Sequence, residues 1–334
     1  MKNRLDYIDS IKGVAIFLMV MGHVLAWCFA DFSDVMYNGS YSAIFWSRVI
    51  YAFHMPLFFC VSGYLYCKDC MFPTDGGKMI WKRFRTLIVP FLCVGILFHF
   101  TTGAPITKYW FLRTLFVVTS IHVVYDLLRT KYNLGLISDI LFYSLSFVVL
   151  FVAGKLLKGT IVDIVFDVSR FASFNYFGFC IGVIIKRYDR IRCLFENNWT
   201  YSVCLGLFIL LLFPVPVPKS IRAFLMCISG IVCVWYLMKY VFVEGIVVRV
   251  LRKFGRHSLD IYLAHFFLNI SIWELGTYFV RLAESDTYFP VLSGCMLQLL
   301  YGVIISLFIC LVCLFIAKIV STSRIFSVLL FGKL

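Results

Sequence analysis

Long apolar runs separated by short polar, often basic, segments dominate this chain. Ten runs approach or reach the roughly 20 residues that an α-helix needs to cross a hydrocarbon core of about 30 Å. They lie at about 11–30, 48–67, 86–103, 109–128, 136–154, 169–185, 201–213, 220–243, 258–280 and 291–317. This pattern predicts an all-α polytopic membrane protein with about ten transmembrane helices.

Composition supports this class and excludes a soluble globular domain. Of the 334 residues, 62% are hydrophobic and 14% are charged. Such a balance is not typical of a soluble domain of this length. No soluble segment or linker separates the runs, so we expect one integral-membrane domain over residues 1–334. The net charge of +14 would suit a nucleic-acid partner, but the basic residues fall between apolar runs, where membrane topology explains them.

The basic residues also predict an orientation. With the N-terminus in the cytoplasm, most of the 31 lysines and arginines fall in segments on the inner side. Both termini are therefore expected in the cytoplasm. The 13 cysteines are scattered, mostly within apolar runs, where a free thiol behaves as a small hydrophobe, and we expect no metal site.

The first chemically informative stretch is DSIKGVAIFLMVMGH, Asp9–His23. Lys12 and His23 are about three helical turns apart, so they share a face at a separation of about 16 Å. With Lys12 at the membrane surface, His23 lies near the midplane of a core about 30 Å thick. An ionisable group at that depth indicates either function or an interhelical hydrogen bond, and this stretch leaves both open. Asp9 lies one turn before Lys12 and can orient it.

The second stretch is FHMPLFFCVSGYLY, Phe53–Tyr66. His54 is expected at a depth similar to that of His23. Pro56 removes one helical hydrogen bond, and Ser62 is followed by a glycine that permits close helix packing. A kinked packing helix is one interpretation. Two histidines at similar depth favour the other, a polar cavity.

The third stretch is KRFRTLIVP, Lys82–Pro90, at the inner end of the third run. Lys82, Arg83 and Arg85 stand together there. The positive-inside rule alone explains them. The alternative is a clamp for a polyanionic ligand such as a phosphorylated cofactor, since arginine binds phosphate in a bidentate manner.

The fourth stretch is FGRHSLDIYLAHFF, Phe254–Phe267. It places ionisable groups, including His265, and the phenol of Tyr262 inside a predicted span. Glu274 lies further along the same span. A carboxylate there needs a partner, such as Arg113 in the WFLR stretch or one of the histidines.

Taken in this order, the four stretches resemble the membrane acyltransferase-3 family of bacterial integral-membrane O-acyltransferases. The resemblance covers nearly the whole chain and includes the family's basic residue, ten intervening positions and histidine, here Lys12 and His23. FHMPLFFCVSGYLY and GRHSLDIYLAH are similar to its second-helix and late-helix signatures. The family's third helix has two arginines separated by two residues. Here Lys82 and Arg85 keep that spacing, and Thr86 stands where a second arginine is expected.

The resemblance implies transfer of an acyl group, most simply acetyl from acetyl-CoA, to a sugar hydroxyl of an envelope or surface glycan. The WFLR stretch and the chain length look closest to the branch that acetylates surface polysaccharides. The implied setting is the bacterial inner membrane, with membrane lipid and a lipid-linked or polymeric glycan as partners, and a homo-oligomer is compatible with it. Two alternatives stay open: an acyl relay to a separate periplasmic transferase, and a proton-coupled transporter or flippase, against which the lack of inverted repeats argues.

The resemblance also assigns roles to the residues. His23 is the expected catalytic group. Lys12, Lys82, Arg83 and Arg85 are expected to bind the donor phosphates. The supporting or cavity residues are expected to be Asp9, His54, Ser62, Arg113, Tyr262, His265 and Glu274.

Overall fold

The computed structural model describes residues 6–28, 45–69, 75–160, 174–213, 215–268, 278, 281–282, 285 and 287–333. Throughout these ranges the regular structure is helical, and none of it is β-strand. The predicted all-α class is therefore confirmed.

The helices are numbered here in chain order. They are α1 Asp6–Cys28, α2 Phe45–Asp69, α3 Gly76–Thr102, α4 Trp110–Tyr132, α5 Leu136–Leu156, α6 Phe174–Arg187, α7 Asp189–Phe195, α8 Asn198–Leu212, α9 Lys219–Tyr236, α10 Ile246–Arg256, α11 Ser258–Ala264, α12 Tyr288–Val320 and α13 Arg324–Phe331. A π-helical turn, Phe84–Ile88, interrupts α3, and a second one, Leu237–Val241, extends α9. Short 3₁₀ turns precede α4 at Ile106–Tyr109 and follow α11 at His265–Leu268.

Membrane spanning follows from helix length and composition. Among the described residues, seven helical stretches are long and apolar enough to cross a bilayer. They are Asp6–Ala26, Phe45–Tyr66, Gly76–Thr102, Ile106–Tyr132, Leu136–Leu156, Lys219–Val241 and Leu292–Val320. The chain is thus a polytopic membrane protein.

Three of the ten predicted spans correspond to shorter helices. The spans at 201–213 and 258–280 coincide with the shorter apolar helices Asn198–Leu212 and Ser258–Leu268, and residues 269–277 lie outside the described ranges. The span at 169–185 also begins outside them, and α6 covers its remainder. The number of ten spans and the cytoplasmic termini stay predictions.

The chain divides into two compact units. The first comprises Met1–Met55 and Tyr201–Lys318, and the second comprises Pro56–Thr200 and Ile319–Leu334. The first unit therefore contains α1, α9, α10, α11, the start of α2 and most of α8 and α12. The second contains the rest of α2, α3 to α7 and α13. The single integral-membrane domain expected from the sequence stays a prediction.

In the first unit, α10 packs against the first half of α1 with almost no space between the backbones. A Cβ atom added to Gly13 would lie 1.9 Å from the carbonyl oxygen of Leu251. One added to Gly255 would lie 1.8 Å from the carbonyl oxygen of Asp9. Residue numbers rise along α1 as they fall along α10, so the two helices run in opposite directions. Only glycine permits this contact, as in other close helix pairs in membranes.

In the second unit, α2 and α6 make a similar contact. A Cβ atom on Gly63 would lie 2.1 Å from the carbonyl oxygen of Phe179, and one on Gly182 would lie 1.9 Å from that of Cys60. The close helix approach predicted beside Ser62 is therefore confirmed at Gly63.

A buried charge network ties α4, α5 and α6 together in the same unit. The guanidinium of Arg187 binds Asp126 through Nη2 at 2.8 Å and Asp139 through Nη1 at 2.9 Å. Arg129 donates to Asp139 at 3.1 Å from the next turn of α4. Both carboxylates are almost fully buried, so each charge depends on these partners.

Tyrosine hydroxyls complete the network. Tyr66 donates to Asp126 at 3.0 Å, and Tyr125 and Tyr188 each donate to Asp139 at 2.7 Å. Burial, together with the hydrogen bond to Asp139, raises the pKa of Tyr188 above its ordinary value, so this phenol stays a neutral donor.

Candidate active site

His23 lies in the first unit, in the fifth turn of α1. Its ring centroid is 5.4 Å from that of His265, with 32° between the planes, and 5.1 Å from that of Phe266. The ring of Tyr51, from α2, meets it edge-on at 6.4 Å. His23 is half-buried. Its side chain therefore contacts residues outside α1, and its depth near the membrane midplane stays a prediction.

His265 is held rigidly by its own helix. Its Nδ1 atom is 2.7 Å from the carbonyl oxygen of Tyr262 and 3.2 Å from that of Ile261. Because a carbonyl oxygen only accepts, Nδ1 carries the hydrogen and Nε2 carries the lone pair of the neutral ring. The side chain is fully buried. The neighbouring ring of Tyr262 is also buried, 6.0 Å from that of His265, so two of the predicted supporting residues lie together and one of them contacts His23.

Ion pairs explain why α10 and α11 reach this place. Arg256, the last residue of α10, donates from Nε to Asp9 at 3.2 Å and lies 3.4 Å from Asp6. Arg252 approaches Asp6 at 3.3 Å. Because α11 begins two residues after Arg256, fixing α10 on α1 also sets the start of the helix that carries His265.

A second polar contact lies at the start of α11. The Nδ1 atom of His257 is 2.8 Å from a carboxylate oxygen of the buried Asp260. Asp260 lies in the first turn of α11, where the helix dipole favours a negative charge. This contact further fixes the direction in which α11 leaves α10.

The predicted partnership of Asp9 with Lys12 was therefore incomplete. Asp9 is buried and binds Arg256, a residue that the sequence analysis did not single out. The sequence showed only that the two residues have opposite charges. They are far apart along the chain, so nothing in the sequence indicated that they pair. Lys12 itself is half-buried on the same continuous helix as His23, and its pairing with Asp9 stays a prediction.

His54 connects to His23 through an aromatic ring. The ring of Tyr51 meets the ring of His54 edge-on, with 4.9 Å between centroids. It also meets the ring of His23 edge-on, with 6.4 Å between centroids. The Nδ1 atom of His54 is 2.8 Å from the carbonyl oxygen of Ile50, and the residue is buried. His54 thus bonds within its own helix and touches the bridging phenol. Sequence reasoning missed Tyr51 because one tyrosine among many aromatic residues gives no distinct signal.

The predicted donor-binding residues of the second unit surround the π-helical turn of α3. Lys82 and Arg85 are exposed, and Arg83 is half-buried. The hydroxyl of Thr86 donates to the carbonyl oxygens of Lys82 at 3.0 Å and Arg83 at 3.3 Å. Where the family pattern expects a second arginine, this chain therefore has a side chain that binds its own backbone.

The remaining predicted residues have different surroundings. The hydroxyl of Ser62 donates to the carbonyl oxygen of Phe58 at 2.8 Å, within α2. Arg113 is buried in the second unit, with its guanidinium carbon 5.8 Å from the ring centroid of Phe91. Glu274 lies outside the described residues, so its predicted partnership with Arg113 stays a prediction.

Comparison with known proteins identifies the family. A family described as an acyltransferase domain, Acyl_transf_3, matches residues 5–318. The chain belongs to the acyltransferase-3 family. It is therefore a multi-pass membrane protein of this family, and the resemblance seen in the four stretches is confirmed.

Two curated relatives agree with this assignment over part of the chain. Nodulation protein NolL from Sinorhizobium fredii is 31% identical over 147 residues, which cover 38% of this chain and 38% of that protein. Nodulation protein NolL from Mesorhizobium japonicum is 31% identical over 84 residues, 25% of this chain and 21% of that protein. The chain thus matches well under half of the length of these relatives. No solved structure matches.

Proposed function

We propose that this protein transfers an acyl group, most simply acetyl, from cytoplasmic acyl-CoA to a hydroxyl of an envelope glycan in the bacterial inner membrane. The observation that carries the proposal is the pair of His23 and His265, whose ring centroids lie 5.4 Å apart within the helices of a membrane acyltransferase. Two imidazoles packed among apolar transmembrane helices are costly unless they act or are bound. The acceptor is a lipid-linked or polymeric glycan.

The reaction requires a base near the thioester carbon. A sugar hydroxyl is a poor nucleophile, and a neutral histidine that removes its proton activates it. The hydroxyl oxygen then bonds to the carbonyl carbon, the carbon–sulfur bond breaks, and the proton passes from the imidazolium to the departing thiolate of CoA. If His23 first takes the acyl group on a ring nitrogen and then passes it to the hydroxyl, the products are the same.

The supporting residues have distinct roles in this proposal. His265, fixed by the carbonyl oxygen of Tyr262, holds the ring of His23 in place by contact. Lys12, Lys82, Arg83 and Arg85 bind the phosphates of CoA, since charge-assisted contacts to phosphate are among the stronger hydrogen bonds. General base catalysis by histidine needs no metal.

The proposal is tested with the full chain in lipid nanodiscs. Release of free CoA from acetyl-CoA is measured with a thiol reagent, and glycans from cells with and without the protein are examined by mass spectrometry. We expect CoA release and a glycan mass increase of one acetyl group, both lost in His23→Ala. CoA release without glycan acylation would contradict the glycan acceptor and favour an acyl relay to another transferase. If no CoA is released whichever acceptor is supplied, the proposal that acyl-CoA is the donor is refuted.

A further inference from the structure

The C-terminal helix α13 ends on the π-helical turn of α3. Gly332 follows α13 with φ +61°, in the left-handed region that favours glycine. Its N–H donates to Val328 at 3.0 Å, and the N–H of Lys333 donates to Ser327 at 3.2 Å. Phe331 is almost fully buried. The end of α13 is therefore well defined and anchored in the second unit.

Gly332 contacts the backbone of that turn directly. A Cβ atom on Gly332 would lie 2.6 Å from the carbonyl oxygen of Thr86, 3.0 Å from its Cα and 3.1 Å from Cγ of Pro90. Two backbone atoms cannot yield as a flexible side chain does. The contact thus fits a glycine in a left-handed conformation and excludes any larger residue.

The π-helical turn needs such support. The N–H of Val89 donates to the carbonyl oxygen of Phe84, five residues back, so the turn holds one residue more than an α-helical turn. π-helical turns are rare in proteins and occur frequently at functional sites. The extra residue rotates the preceding part of the helix, which includes Arg83, about the helix axis. Arg85 lies within the turn itself, so the turn sets the direction of both side chains relative to the rest of α3.

Thr86 supports the turn from inside. Its hydroxyl bonds to the carbonyl oxygens of Lys82 and Arg83, and its own carbonyl oxygen faces Gly332. Thr86 is thus fixed by the hydrogen bonds of its hydroxyl and by the contact of its backbone with Gly332, which leaves the turn little freedom to return to α-helical geometry.

We propose that α13 acts as a clamp on this turn, with Gly332 and Thr86 as positioning residues that aim Arg83 and Arg85 at the donor phosphates. The inference rests on the proposed function, because it assumes that these arginines bind acyl-CoA. It explains why threonine occupies the position where the family pattern expects arginine: this chain uses the position to shape the turn.

The test replaces Gly332 in the full chain in nanodiscs and measures acyl-CoA turnover. Gly332→Ala adds a Cβ against Thr86, and we expect the KM for acetyl-CoA to rise about tenfold while kcat changes little, since misplacing a binding group by about 1 Å can cost up to 10²-fold. Gly332→Asn, whose side chain tolerates positive φ but still carries a Cβ, should give the same rise. Gly103→Ala is the matched control, because Gly103 has φ +71° and nothing within 4 Å of an added Cβ.

A second pair of variants tests the threonine. Thr86→Val removes the hydroxyl and should raise the same KM, whereas Thr86→Ser keeps the hydroxyl and should restore it. Amide hydrogen exchange over residues 84–90 should accelerate in Gly332→Ala and Thr86→Val, but not in Gly103→Ala. Wild-type turnover with an unchanged KM in Gly332→Ala would overturn the clamp. Absence of acetyl-CoA turnover in the wild type would instead overturn the proposed function.

Discussion

The imidazole rings of His23 and His265 lie 5.4 Å apart, although the two residues come from opposite ends of the chain. The Nδ1 atom of His265 is 2.7 Å from the backbone carbonyl oxygen of Tyr262 and 3.2 Å from that of Ile261. His23 contacts that fixed ring from α1 and is only half-buried. In the proposed mechanism, His23 is the group that reacts and His265 is the group that holds its ring in place.

His23→Ala is expected to abolish acyl transfer without unfolding the protein. General acid–base catalysis contributes about 10²–10⁴-fold to rate, and an alanine in α1 favours the helix. CoA release and thermal unfolding should be measured in the same nanodisc preparation. His99→Ala is the control, because His99 is exposed and bonds only locally, to Ala104. Retention of half or more of the wild-type rate in His23→Ala would remove the catalytic assignment.

His265→Ala is expected to lower kcat while leaving the KM for acetyl-CoA unchanged. A ring that fixes the orientation of His23 affects the chemical step, and loss of orientation can cost about 10²-fold. His265→Gln should retain part of the activity, because its amide can still occupy the place of the ring. The two kinetic constants are measured separately. A raised KM with wild-type kcat would instead assign His265 to binding.

Arg83→Ala combined with Arg85→Ala is expected to weaken donor binding. Each charge-assisted hydrogen bond contributes about 1.5–3 kcal/mol, and each 1.4 kcal/mol is about tenfold in affinity. Binding of acetyl-CoA is measured by calorimetry on protein in nanodiscs. Arg190→Ala serves as the control, since Arg190 is an exposed cation of the same unit. If the double variant binds donor as the wild type does, the arginines serve only membrane topology.

Gly13→Ala is expected to destabilise the fold, because its Cβ would lie 1.9 Å from the carbonyl oxygen of Leu251. Overpacking costs about 1–3 kcal/mol, and a clash with backbone belongs at the upper end. Gly206→Ala is the matched control in α8, where nothing lies within 4 Å of the added Cβ. There the helix should gain about 0.5–1 kcal/mol. Thermal unfolding in detergent compares the two, and equal stabilities would contradict the close packing of α1 on α10.

Arg187→Met is expected to destabilise the second unit strongly, because it leaves Asp126 and Asp139 buried without their shared cation. Removing one partner of a buried ion pair costs about 3–5 kcal/mol. The comparison is Arg192→Met, which removes a pair with Asp189 whose carboxylate side chain is 80% exposed. Exposed pairs contribute about 0–1 kcal/mol. Similar unfolding temperatures for the two variants would show that the buried network contributes little.

The amino-acid sequence by itself determined the class of this protein and the shared face of two polar residues of α1. Hydrophobic runs and helical periodicity are local properties, so they can be read along the chain without knowing which helices meet. The shared face of Lys12 and His23 follows from the period of one continuous helix, Asp6–Cys28. The motif order likewise predicted the acyltransferase-3 family, which the match over residues 5–318 confirmed.

Only the tertiary structure decided which side chains meet. The contact of Tyr51 with His23, the ion pair of Arg256 with Asp9 and the packing of Gly332 on Thr86 join segments that no spacing connects. Each depends on the way helices pack, which is set by small residues and buried charges acting across the whole unit. The sequence does not indicate which partner a single tyrosine, arginine or glycine will contact in the folded protein. The family of this protein was therefore readable from the chain, but the contacts between its helices were not.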